Sequence, residues 1–70
     1  MTSDNMIKYI KGEDYTEASV ELWAVVDKNK GHVKCYRVIV DTKCCRVTYG
    51  CKTIEEAEEH YLRHCKVYSN

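Results

Sequence analysis

Between residues 19 and 26 apolar side chains recur at every second position. Val20, Leu22, Ala24 and Val26 alternate with Ser19, Glu21, Trp23 and Val25. A period of two, rich in valine, predicts a strand with one buried face. The period returns in residues 32–41, where Tyr36, Val38 and Val40 share one face and Cys35, Arg37 and Ile39 the other. Between the two runs, Asp27-Lys28-Asn29-Lys30-Gly31 predicts a hairpin turn, with Asn29 and Gly31 supplying positive φ. Asp41-Thr42-Lys43 predicts a second turn and residues 44–49 a third strand, with Cys45, Val47 and Tyr49 on one face and Cys44, Arg46 and Thr48 on the other. Gly50 is expected to end it.

After Gly50 the spacing changes. Ile54, Ala57, Tyr61 and Cys65 recur at helical intervals, with Leu62 and Glu58 at the edges of the stripe. Thr53-Ile54-Glu55-Glu56 fits a capping box, in which the threonine oxygen accepts an amide of the first turn and Glu56 reaches back. Acids at 55, 56, 58 and 59 complement the positive end of the helix dipole, and Arg63, His64 and Lys66 the negative end. A helix over residues 53–66 follows. Residues 1–18 read two ways: Met6, Ile7, Tyr9 and Ile10 suit a short strand or one helical turn, broken at Gly12-Glu13-Asp14.

The order predicts one α+β domain over residues 1–70: a strand meander over 19–49 forms a three-stranded antiparallel sheet, four-stranded if the N-terminal segment joins it, with the C-terminal helix packed on one face. Seventy residues leave room for a thin core and little for a deep substrate pocket. No apolar run approaches the roughly 20 residues of a membrane span. The polar N-terminus lacks a secretory pattern, so a cytoplasmic location and free thiols are expected of the five cysteines.

Eleven Lys and Arg balance eleven Asp and Glu. Within residues 31–52, however, Lys34, Arg37, Lys43, Arg46 and Lys52 face Asp41 alone, while both flanks are acidic. The nearest approach to a metal centre is Cys45, Cys51, His60 and His64. Five residues separate the cysteines and eight separate Cys51 from His60, unlike the short cysteine spacing of zinc fingers, so no metal or other cofactor is expected. No cysteine opens a helix or belongs to a Cys-x-x-Cys motif, and the isolated Gly12, Gly31 and Gly50 make no phosphate loop. The chain is therefore not expected to be an enzyme.

One helix covers one sheet face. The alternation leaves Trp23, Val25, Arg37, Ile39 and Arg46 on the other, with Cys35, Cys44 and Thr48. Tryptophan and arginine are enriched at interaction hot spots, and an apolar open face is unusual for a solitary monomer. This predicts a non-enzymatic protein-binding module, of the kind a small regulator or inhibitor uses, meeting another protein or a second copy. The alternative is a DNA- or RNA-binding domain using Lys34, Arg37, Lys43 and Arg46 on the sheet, and an N-terminal segment folded over the face would remove both.

Tyr36-Arg37-Val38-Ile39-Val40, followed by Gly50-Cys51-Lys52-Thr53-Ile54-Glu55-Glu56-Ala57-Glu58, resembles the strand-to-helix half of the AP2-like domains at the N-termini of phage integrases. That resemblance spans about half the chain and implies three strands and a helix reading DNA with the sheet face. In size and style the chain is also similar to small phage-encoded inhibitors of host enzymes, which implies binding to a protein.

Overall fold

The computed structural model describes residues 5–69. Four strands, β1 (Asn5–Asp14), β2 (Ala18–Asp27), β3 (Val33–Thr42) and β4 (Arg46–Cys51), precede one helix, α1 (Ile54–Tyr68). The strands form a single antiparallel sheet in the order β1-β2-β3-β4, so the fold is the α+β meander that the alternation predicts, with the fourth strand present. The N-terminal segment does not fold over the open face. It pairs along β2 and widens the sheet, which resolves the ambiguity of residues 5–18; the first four residues lie outside those described.

Helical packing selects one face. α1 lies over β2, β3 and β4. Beneath it Leu22, Val20 and Val38 are fully buried, joined by Val40 and Cys51, and the helix contributes Ala57 and Tyr61 to the same core. Leu62, placed at the edge of the inward stripe by its spacing, is instead 59% exposed. α1 reaches β1 through Lys11, whose ammonium lies 3.6 Å from Glu58 and 5.0 Å above the Tyr61 ring. The long aliphatic stem lets a lysine cover apolar surface while its charge stays wet.

A backbone bond from the Tyr15 amide to the Ala18 carbonyl, 2.7 Å, closes the β1–β2 turn, and a side chain holds each of the other two. The Asp27 carboxylate accepts the amides of Asn29 and Lys30 at 2.8 and 3.2 Å, and these donors hold its pKa below the usual range. Within this turn Gly31 takes positive φ, at 73°, and Asn29 does not share that role. The next turn falls later than the sequence suggests. β3 runs on through Thr42, whose hydroxyl accepts the amides of Cys44 and Cys45 and donates to the Cys45 carbonyl. A threonine hydroxyl that replaces backbone partners moves the bend to residues 43–45. Cys44 and Cys45 thus lie in the turn, not in a strand. β4 starts at Arg46 and passes through Gly50 to Cys51, which the sheet carries into the core.

Thr53 caps α1 by accepting the Glu56 amide at 3.2 Å, while Glu56 accepts from the Lys52 amide at 3.1 Å, one residue before the cap. α1 extends two residues past the expected end because Tyr68 packs against the core.

Two substitutions test this packing by chemical denaturation. Leu22→Ala should destabilise the fold by about 2–5 kcal/mol, as fully buried leucines do. A Cβ at Gly12 would meet the Tyr9 hydroxyl at 2.7 Å and the Val20 carbonyl at 3.2 Å. Gly12→Ala should therefore destabilise by about 1 kcal/mol or more, and Tyr9→Phe in the same chain should recover part of the loss. An additive double variant would show that the Tyr9 hydroxyl is not what Gly12 accommodates.

Candidate protein-binding face

The strand register maps the face opposite α1 row by row. Ile7, Val25 and Cys35 form the first row, and Tyr9, Trp23, Arg37 and Gly50 the second. Gly12, Glu21, Ile39 and Thr48 form the third, and Asp14, Ser19, Asp41 and Arg46 the fourth. β1 thus adds Ile7 and Tyr9, which the sequence left unassigned, to the candidate residues. They are 50% and 55% exposed. Their placement follows from the β1–β2 pairing; the irregularity between Tyr9 and Lys11 then brings Gly12 and Asp14 onto the same face, which no periodicity of residues 1–18 reveals.

Tyr9 and Trp23 meet edge to face, centroids 5.2 Å apart. The Trp23 indole N–H donates to Glu21 at 3.1 Å. These contacts fix the aromatic pair on its own sheet. Val25, in the first row of this face, is 4% exposed and already buried, so it offers little surface to a partner. Trp23 and Ile39 are half-buried and Arg37 is exposed. Arg46 lies 3.3 Å from the Asp41 carboxylate.

The bases of the middle segment do not converge. Arg37 and Arg46 occupy different rows of the face. Lys34 is the extra residue at the irregularity in the β2–β3 register, and Lys43 sits in the β3–β4 turn. Glu21, Asp41 and Asp14 share the face, so its charge is mixed.

The metal set is likewise dispersed. Cys45 is exposed at the hairpin tip, whereas Cys51 is buried under α1. His60 and His64 stack on Tyr49, with centroids 5.6 and 4.9 Å away. Among the described residues no three potential ligands group together. Burial, with the charges of His60 and Arg63, lowers the His64 pKa. Burial pushes the Cys51 thiol up, and Tyr15, hydrogen-bonded to the Cys65 thiol, is pushed up to about 12.

Two concavities lie elsewhere. One of about 490 Å³ sits between β1, the β2–β3 hairpin and the start of α1, lined by Ile10, Val26, Val33, Tyr36 and Ile54 among others. The other, about 600 Å³, lies between the β1–β2 turn and the end of α1 and includes Asp14, Glu17 and Tyr68. No helix among the described residues is long and apolar enough to cross a membrane.

Comparison with protein-family models, curated proteins and solved structures finds no match to this chain.

All five cysteines are free thiols. Timed alkylation followed by mass spectrometry should modify Cys44 and Cys45 first, Cys35 and Cys65 next and Cys51 last. Modification of Cys51 as fast as Cys45 would contradict its burial. The His64 shift carries a pH dependence. A lowered folded pKa means that the unfolded chain binds the proton first as pH falls below the ordinary 6.5. Stability should therefore fall with decreasing pH from 6.5 downward until the folded pKa is passed. His64→Gln should flatten the melting-temperature profile in that window, and an unchanged slope would assign it to other groups.

Proposed function

We propose that this chain is a non-enzymatic protein-binding module, a small regulator or inhibitor that masks a partner's surface with its open sheet face. The observation that supports this reading is the placement of β1. It widens the sheet instead of covering it, so Ile7 and Tyr9 join Trp23 and Ile39 on a face over which no other described element packs. Apolar area removed from water contributes about 25 cal/mol per Å² before association costs. An aromatic pair already fixed in place loses little freedom on binding. Arg37 supplies a guanidinium able to bind a carboxylate bidentately or stack on a ring.

Nucleic acid is the weaker reading. Phosphate binding calls for converging bases, whereas Arg46 is already held by Asp41 and carboxylates share the face. A cytoplasmic site of action belongs to the same proposal, without a membrane or a cofactor.

The test is capture from the source cells, with and without nuclease, using the wild type, Trp23→Ala and Ile7→Ala. A nuclease-resistant protein partner is expected. Trp23→Ala should weaken its binding about 30-fold, the hot-spot scale, with the melting transition still cooperative. If Trp23→Ala unfolds the chain, the exposed Ile7→Ala carries the comparison. Retention unchanged in both variants would move the interface off this face. A partner that disappears with nuclease would favour the nucleic-acid reading.

A further inference from the structure

We propose that the open face is a self-complementary surface whose occupant is a second copy of this chain, related by a two-fold axis that crosses the Glu21–Arg37 diagonal at right angles and runs close to the Trp23–Ile39 diagonal. This rests on the reading of the face as an interface and names what meets it.

The register carries the argument. Trp23 lies opposite Arg37, and Glu21 opposite Ile39. These four residues occupy the corners of a rectangle on one face, with sides of about 4.8 Å between strands and about 6.7 Å along them. The acid and the base occupy one diagonal, the tryptophan and the isoleucine the other. A two-fold axis in the plane of the face, set across the Glu21–Arg37 diagonal, exchanges those two corners. It brings Trp23 and Ile39 back close to their own counterparts. A second copy laid face to face on this axis therefore sets each Arg37 over the other's Glu21, on both sides of an apolar seam. Such reciprocity is what an isologous contact requires. The rectangle's proportions cross the two sheets at roughly 70°, near the orthogonal mode of sheet packing.

The charged groups are ready for this pairing. The Trp23 indole N–H donates to one oxygen of Glu21 at 3.1 Å, which fixes the carboxylate beside the indole, and among the described residues its other oxygen has no partner. Arg37 is exposed and makes no ion pair among the described residues. Asp41 and Arg46 neutralise each other one row away, so they add no repulsion. Tyr9, edge-on to Trp23, extends the seam onto β1.

Sedimentation across a dilution series tests this on the wild type, Glu21→Arg, Arg37→Glu and the double variant. The wild type should form a species of twice the 8.2 kDa chain mass. Each single reversal sets like charges against each other and should weaken association by about 30-fold or more. The double reversal restores opposite charges and should recover most of the loss. Circular dichroism checks that each chain folds; should one fail, Glu21→Gln and Arg37→Gln replace the pair, each expected to weaken association about tenfold. A wild type that stays at single-chain mass at every concentration overturns the proposal. So does a dimer indifferent to both reversals, or a double variant no better than the singles. A monomer that still captures a protein through Trp23 sinks the dimer alone, whereas a dimer indifferent to Trp23→Ala, with no Trp23-dependent capture, sinks the reading of the face as well.

Discussion

A single fifteen-residue helix against a four-stranded sheet is the constraint on which this structure turns. One layer can bury one face. Under α1 the sheet is dry, with Val20, Leu22 and Val38 fully buried, and the packing fades towards the edge strand β1. The small core places a premium on each contact within it. It also explains why Cys51 and Ala57, neither of them large, are core residues: the helix must approach β3 and β4 closely to exclude water.

Local hydrogen bonds compensate for the thin core. Asp27 gathers two amides in one hairpin, the Thr42 hydroxyl organises the other, and Thr53 with Glu56 closes the start of the helix. Each such bond contributes about 0.5–1.5 kcal/mol net, which counts in a domain of this size. They also set the strand lengths, and therefore which residues lie opposite one another on the open face.

That face is maintained by contacts within its own sheet. Tyr9 leans edge-on against Trp23 over Gly12, the indole N–H is satisfied by Glu21, and Val25 is buried among its neighbours. The result is an ordered apolar strip beside a mixed-charge strip. The basic middle of the sequence leaves Arg37 on that face with no ion pair among the described residues, because Lys34 sits at a register irregularity, Lys43 in a turn and Arg46 beside Asp41.

Much of this was legible in the chain. Alternation in residues 19–26 and 32–41 determined two strands and both of their faces, since a period of two admits one assignment once the apolar side is known. Helical spacing after Thr53 determined α1, its cap and its buried stripe of Ala57 and Tyr61. What the sequence could not decide were the places where distant partners overrule local preference. The fate of residues 5–14 depended on hydrogen bonds to β2, to which hydrophobic spacing is blind. The β3–β4 turn moved because one threonine hydroxyl replaced backbone partners. Cys51 entered the core because β4 continued through a glycine that looked like a stop. The juxtaposition of Glu21, Trp23, Arg37 and Ile39 exists only through the β2–β3 register, because which residues face one another across strands is a property of the paired sheet and of neither strand alone.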